Sequence, residues 1–201
     1  MESSNNIVVI GLGVIGLPTA LLLASSNYQV TGVDINKSVI KSLKKGILPS
    51  HIREKELQVL LTDSKVIENL KFQDIPTKAN TFIITVPTPL DKKRKKANLS
   101  FVKKALDSIR PFLKKGDLVI IESTIPPKTC RDFVIPILET DRFKVGKDIF
   151  LAHCPERVLP GNIYYEIVNN DRIIGGVDKK SSDLAEKIYK SFVKGKIHKT
   201  N

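Results

Sequence analysis

A chain of 201 residues with 41% hydrophobic and 27% charged side chains has the composition of an ordinary globular protein, one sizeable domain or one with a small appendage. Its two cysteines, Cys130 and Cys154, make no disulfide framework and sit in no CxxC pair, so neither a zinc nor a thioredoxin-type site is suggested and a reducing, cytoplasmic setting is expected. The net charge of +12 has two readings: anionic partners (nucleic acid, an anionic membrane face, phosphorylated small molecules), or plain lysine-rich composition spread over polar faces.

From Ser3 to Val33 no residue is charged, and Ile7 to Ala24 is long enough to suggest a membrane span. Three glycines and Pro18 interrupt it, and only Glu2 precedes it, with no basic n-region. A buried strand (Asn6 to Ile10), a tight turn and a buried helix (Ile15 to Ser25) explain the apolarity without a membrane. Gln29 to Asp34 reads as a second strand, with Ser38 to Lys45 helical after it. Glu54 to Thr62 is a helix with Leu57, Leu60 and Leu61 on one face. Asn80 to Val86 is a strand stopped by Pro87. The basic run in Asp91 to Asn98 is a solvated loop, or an electrostatic lure for an anionic substrate. It lacks the interleaved aromatics of a nucleic-acid surface, and no nucleic-acid partner is expected. Phe101 to Leu113 has Val102, Ala105, Leu106, Ile109 and Leu113 at helical spacing, with Asn98 or Ser100 as cap. Residues 117–123 form a strand, Lys128 to Leu138 a helix, residues 148–154 and 172–176 strands, Ser181 to Phe192 a helix, and residues 195–200 a last strand. Alternating β and α elements with continuous apolar strands predict an α/β, Rossmann-type doubly wound parallel sheet covered on both faces.

The sequence IGLGVIG places Gly11, Gly13 and Gly16 in the spacing GxGxxG. Alone the pattern is weak. Here it follows a strand, opens a helix, and precedes a second strand ending in Asp34, 18 residues after Gly16. Gly11 permits the tight turn, Gly13 lets a pyrophosphate approach, and Gly16 lets helix and strand pack closely. The helix N-terminus offers free N–H groups and a favourable dipole to phosphate. Pro18 is tolerated in the first turn, whose N–H groups have no helical partner. Asp34 would accept from the adenosine ribose hydroxyls and repel a 2′-phosphate, so NAD is the expected cofactor rather than NADP.

Four further motifs follow in order: VPTP (Val86 to Pro89), ESTIPPKT (Glu122 to Thr129), CPERVLPG (Cys154 to Gly161) and NDRIIGG (Asn170 to Gly176). Together they resemble the UDP-glucose/GDP-mannose dehydrogenase family over nearly the whole chain. The last two motifs most resemble its UDP-N-acetylmannosamine branch. The resemblance implies an NAD-dependent oxidation of C6 of a nucleotide-linked hexose to a carboxylate, in two steps, through a thioester on a cysteine. It implies that Val14 and Ile15 meet the pyrophosphate through their backbone, and that Thr88 and Thr124 line the cofactor, Thr124 near the reacting end. Glu156 would position the hydrolytic water or act as a base, and Arg157 and Val158 would contact the sugar nucleotide. A UDP-sugar is the implied substrate, with no membrane partner. Two departures stand out. Lys128, Thr129 and Cys130 occupy positions where the family often has Gly-Thr-Thr, and residues 91–98 are lysine-rich where an acidic or glycine-bearing loop is usual. Lys128 would narrow the nicotinamide side, and Cys130 replaces a hydroxyl that often contacts NAD.

The family's central helix, through which its members usually homodimerise, and its glycine-rich cysteine motif find no match in these residues. The expectation is therefore an N-terminal, cofactor-binding half without the nucleophile and inactive alone; the alternatives are a stand-alone NAD-binding module, or a fragment acting on another nucleotide sugar. The segment HCPERVLPG raises a Cys–His pair as a rival nucleophile. Neighbours in a strand face opposite ways, however, so His153 and Cys154 are poorly placed to pair. Cys154 reads as a buried strand-end residue, with Pro155 and Pro160 stiffening the loop that presents Glu156.

Overall fold

The uncharged N-terminal stretch folds as strand, turn and helix. In the computed structural model, which describes residues 6–93, 95–159 and 161–200, β1 (Asn6–Ile10) runs into the glycine turn, and α1 (Gly16–Ser25) leaves it. Every α1 residue from Gly16 to Ala24 is buried. A charge anywhere on this helix would be desolvated without a partner, which explains its apolar sequence. No helix among the described residues is long and apolar enough to cross a membrane.

The chain continues through β2 (Gln29–Val33), α2 (Lys37–Leu43), α3 (Lys55–Thr62), α4 (Ser64–Asn69), β3 (Leu70–Gln73) and β4 (Thr81–Ile84). A two-residue hairpin, β5 (Leu90–Asp91) with β6 (Lys96–Ala97), precedes α5 (Ser100–Ile109) and a 3-10 turn, Arg110–Phe112. Then come β7 (Leu118–Ile121), α6 (Ile135–Leu138), β8 (Phe150–His153), α7 (Ile163–Asn169), β9 (Arg172–Gly176), α8 (Lys179–Tyr189) and β10 (Ile197–Thr200).

One eight-stranded sheet has the order β10-β9-β8-β7-β4-β1-β2-β3. From β3 to β8 all neighbours are parallel, the doubly wound arrangement the alternation predicts. The strand order reverses between β1 and β4, and in such sheets the crevice at that switch point receives ligands. Alternating side chains on the strands feed two cores. Ile7, Val9, Ile83 and Ile120 pack with α1, α3 and α8 on one face. Val8, Ile10, Phe82 and Ile84 pack with α5 and α6 on the other.

The structure corrects four expectations. The sheet is not parallel throughout: β9 pairs antiparallel with β8, and β10 follows β9. The helix α7 is short, and β9 begins two residues past its end, so the chain re-enters the sheet from the end it left rather than crossing over. The segment read as one helix from Lys128 to Leu138 is a π-helical turn, Cys130–Val134, followed by one α-turn. Pro136 has no N–H to continue a regular i→i−4 ladder there. The lysine-rich segment read as a loop contains the β5–β6 hairpin; Arg94 within it lies outside the described residues. Finally, α4, β3 and α7 were not foreseen, each too short for a periodicity of 3.6 or 2 to emerge.

Candidate cofactor site

Gly11 follows the last residue of β1 with φ of +96°, a conformation that L side chains rarely adopt. A Cβ there would also lie 2.8 Å from the Thr85 carbonyl oxygen. A Cβ on Gly16 would collide with the Gly11 carbonyl and the Thr85 hydroxyl. This is the close helix–strand packing expected of the third glycine. Above Gly13, by contrast, a Cβ would meet nothing within 4 Å. The space over that backbone is open, as an approaching pyrophosphate requires. The Thr85 hydroxyl lies 2.7 Å from the Gly11 carbonyl oxygen and 2.9 Å from that of Ile10, fixing the turn from the neighbouring strand. Thr85 was not among the sequence-predicted site residues, although it directly precedes VPTP.

Asp34 begins the segment after β2. Its Oδ2 accepts the Leu12 N–H at 2.9 Å and its Oδ1 the Asn36 N–H at 2.8 Å. The carboxylate therefore ties the glycine turn to the second strand while keeping lone pairs for further donors. Exposed apolar side chains flank it, Ile35 at 84% and Val14 at 43% exposure, as a surface for a planar ring would require.

A cleft of about 590 Å³ opens along the C-terminal ends of β1, β4 and β7. Its lining includes Gly11, Gly13, Val14, Ile15 and Asp34 from the turn and the end of β2, and Thr88, Glu122, Thr124 and Glu156 from the loops after β4, β7 and β8. The structure thus gathers most of the predicted residues into one cleft. The Thr88 hydroxyl donates to the Thr124 carbonyl at 2.6 Å, linking the loops after β4 and β7. Gly16 lies beneath the turn rather than in the lining. Arg157 and Val158 do not line the cleft. Arg157 is exposed and donates to the Asp171 carbonyl at 3.2 Å, and Val158 packs against the core. Lys128 and Cys130 do not narrow the cofactor cleft either. Both line a second cavity, of about 700 Å³, together with His153 and Pro155. Pro160 lies outside the described residues.

At the Glu156 end the cleft is lined by charged, buried side chains. Glu122, which follows β7, has a fully buried side chain. Its Oε1 accepts from Arg172 Nη1 at 3.0 Å and its Oε2 from the Thr19 hydroxyl at 3.3 Å. The other arm of Arg172, Nη2, is ion-paired with Glu156 Oε2. Glu156 Oε1 accepts the Arg157 N–H at 2.9 Å. The Arg172 guanidinium stacks 4.6 Å from the centre of the Tyr189 ring, and its Nη1 lies 3.7 Å from Cys154 Sγ. The reversed direction of β9 makes this cluster. His153 faces Gly175 in the antiparallel register, and extending that register brings Arg172 level with Glu156. A parallel β9 would have carried Arg172 to the opposite end of the sheet.

Burial pushes the Glu122 carboxyl up to about 7, the Arg172 cation opposing and the neighbouring Glu156 adding to the rise. Burial alone would favour a neutral Arg172, but the Glu122 and Glu156 carboxylates outweigh it and hold the guanidinium charged. Burial also raises the Cys154 and Cys130 thiols, each to about 11. Neither is a thiolate near neutral pH, so neither has the activation a nucleophile needs. His153 is pushed below its ordinary value by burial, and its Nε2 meets the Ser123 carbonyl at 3.3 Å rather than Cys154. The rival Cys–His pair is absent.

The glycine turn, Asp34 and the crevice at the switch point define a Rossmann-type dinucleotide-binding domain. The chain belongs to the UDP-glucose/GDP-mannose dehydrogenase family, NAD binding domain, whose model matches residues 5–193. Its cofactor is NAD. It is 49% identical over 199 residues to the UDP-N-acetyl-D-mannosamine dehydrogenase of Methanococcus aeolicus, covering 98% of this chain and 44% of that protein. The Campylobacter jejuni protein of the same name is 42% identical, with 100% and 51% covered. Among solved structures, the UDP-N-acetyl-mannosamine dehydrogenase of Staphylococcus aureus superimposes with a TM-score of 0.91 at 46% identity, over 98% of this chain and 47% of that one. The chain spans about half the length of the relatives it matches.

Proposed function

We propose that these residues form the cofactor-binding part of an NAD-dependent UDP-sugar 6-dehydrogenase that oxidises UDP-N-acetyl-D-mannosamine to the corresponding uronate, a precursor for surface polysaccharide. The observation that carries the reading is Glu156 held at one end of a cleft whose other residues fit a dinucleotide. The names of the similar proteins support the substrate. NAD, when bound, supplies the hydride acceptor. The glycine turn presents backbone N–H groups to the pyrophosphate, and Asp34 accepts from the ribose. Thr124 lines the reacting end. Glu156, fixed by Arg172 and its neighbour's N–H, is placed to orient a water or take its proton. Arg157 and Val158 serve the sugar nucleotide only if their loop turns towards the cleft on substrate binding. Both cysteines are free, which supports a reducing, cytoplasmic setting.

Neither cysteine of this chain fits the nucleophile of the thioester step: neither lies in the family's glycine-rich cysteine motif, Cys154 is buried, and Cys130 lines the second cavity rather than the cleft. The purified 201-residue chain should therefore bind NAD in a calorimetric titration yet give no steady NADH signal with UDP-N-acetyl-D-mannosamine. Joined in frame to the remaining part of the Methanococcus aeolicus relative, it should produce NADH from that sugar nucleotide in preference to UDP-glucose. Turnover by the chain alone would overturn the missing-nucleophile reading. A chimaera preferring UDP-glucose would overturn the substrate.

A further inference from the structure

Glu122 carries none of the roles assigned above, yet it lines the same cleft as Glu156 and Thr124 and shares a guanidinium with Glu156. Two carboxylates on one buried cation leave an excess negative charge among buried groups if both are ionised. The side-chain exposures are 0% for Glu122, 4% for Arg172 and 8% for Glu156, so water screens little of it. Thr19 on α1 donates a single neutral hydrogen bond to Glu122. Arg172 on β9 is the only positive group facing it among the described residues. Glu156 after β8 is a second negative one. Cys154 after β8 and Tyr189 on α8 both keep their protons, since burial raises the two groups. Nothing in this set neutralises the second carboxylate, and the remaining means of relief is a proton.

We propose that Glu122, Arg172 and Glu156 form a carboxylate pair sharing one cation and one exchangeable proton at the reacting end of the cleft, and that Glu122 releases this proton when a cationic nicotinamide ring enters. The proposal rests on the reading of the cleft as the NAD site. With the adenosine ribose at Asp34 and the pyrophosphate over Gly13, the end holding Thr124, Glu122 and Glu156 falls to the nicotinamide. The ring of NAD is positively charged and that of NADH is neutral. A positive ring supplies the second cation that the pair lacks, so the O–H bond of Glu122 breaks and its proton passes to water. Loss of the ring charge on reduction favours return of a proton to Glu122. Arg172 acts here as a positioning residue, holding both carboxylates to the site.

The chain without nucleotide gives the first test, by following the glutamate carboxyl carbons in NMR as pH rises. Glu122 should titrate near pH 7, and its midpoint should fall in Glu156→Gln, where the neighbouring negative charge is gone. A midpoint in the ordinary carboxylate range, or one unmoved by Glu156→Gln, would overturn the pair. The second test is calorimetry near pH 7 in two buffers of different ionisation heat. NAD binding should release up to roughly half a proton, from a group half-protonated beforehand, and NADH binding none. Glu122→Gln, which keeps the shape, should bind NAD with no proton released. Equal release with both nucleotides, or release surviving in Glu122→Gln, would overturn the coupling. If neither nucleotide binds, the cofactor reading fails and the coupling with it, while the nucleotide-free titration still decides the pair.

Discussion

The two ends of the cleft solve the same problem by opposite means. At the Asp34 end the turn itself carries no charged side chain: a Cβ would meet nothing over Gly13 and would collide at Gly16, and the one carboxylate, Asp34, is tied to the turn through the Leu12 N–H. At the Glu156 end charged side chains dominate. A buried arginine, two glutamates and an aromatic ring converge from β7, β9, α8 and the loop after β8. The first end is local in sequence and rigid because its neighbours leave no room. The second is assembled from residues 50 positions apart, as Arg172 and Glu122 are, and is held by charge. On the proposed reading, binding falls to the sterically fixed end and protons to the end whose groups can titrate.

The largest expected effect comes from removing the cation. Arg172→Met leaves Glu122 and Glu156 buried with no positive partner. Breaking a buried pair in this way costs about 3–5 kcal/mol, read as a lowered midpoint in urea unfolding. The loss should be smaller at pH 5 than at pH 8, because acid protonates the stranded carboxylates. The intact protein has a pH dependence of its own. Glu122 sits at about 7 when folded against 4.5 as its ordinary value. The unfolded chain therefore loses this proton first as pH rises, and Glu122's contribution to stability declines between those values before levelling off. Stability that instead rose across this window in wild type relative to Glu122→Gln would break the contrast between a charged end and a steric one.

Next comes the steric end. Gly16→Ala forces a methyl group into the Gly11 carbonyl and the Thr85 hydroxyl, and overpacking of that kind costs about 3 kcal/mol. Gly13→Ala has open space around it and should leave the unfolding midpoint alone while weakening NAD binding. Thermal melts and titrations of the two variants side by side separate a packing glycine from a ligand-facing one. If both changed stability equally, the turn would not be built as described.

The same contrast explains what could be read from the chain. The glycine turn, α1 and Asp34 were legible because spacing along thirty residues encodes them: a strand, GxGxxG, a helix and an acidic residue at the next strand end. The parallel strands were legible because strands buried on both faces read as continuous apolar runs. The charged end was not. Arg172 stood in plain view in NDRIIGG and Glu122 in ESTIPPKT, but placing them together required knowing that β9 runs backwards. That direction follows from a helix of seven residues with no strong pattern. Glu54 shows the same limit. It is buried before α3 and accepts the N–H groups of Ile163 and Tyr164 at 2.7 and 2.8 Å, capping α7 from more than a hundred residues away. Long-range side-chain bonds leave no period in a sequence.

A smaller effect is expected at Asp34, where affinity rather than stability changes. Asp34→Ala removes the charged acceptor for the ribose and loosens the Leu12 N–H of the turn. Hydrogen bonds to a charged group are worth about 1.5–3 kcal/mol, so NAD affinity should fall roughly ten- to hundredfold by calorimetry. NADP should lose less or gain, since the charge that repels its 2′-phosphate is gone. An unchanged ratio of the two affinities would take the ribose from Asp34.

The smallest effect belongs to the residue that looks most reactive in the sequence. Cys154→Ala removes a buried sulfur 3.7 Å from Arg172 Nη1, and with it a weak acceptor and some packing. A buried large-to-small change of this size should cost about 1 kcal/mol and leave NAD affinity within roughly twofold, because Arg172 keeps both carboxylates. In the native chain Cys154 should resist iodoacetamide at neutral pH, with its thiol pushed up to about 11, and react only on unfolding. The outcome bears on the charged end as a whole. Cys154 touches the same guanidinium as Glu122 and Glu156, so an affinity loss as large as that of Asp34→Ala would mean that the arginine cluster holds the cofactor directly. An unchanged affinity would leave the steric end as the binding end and confine the cluster to protons.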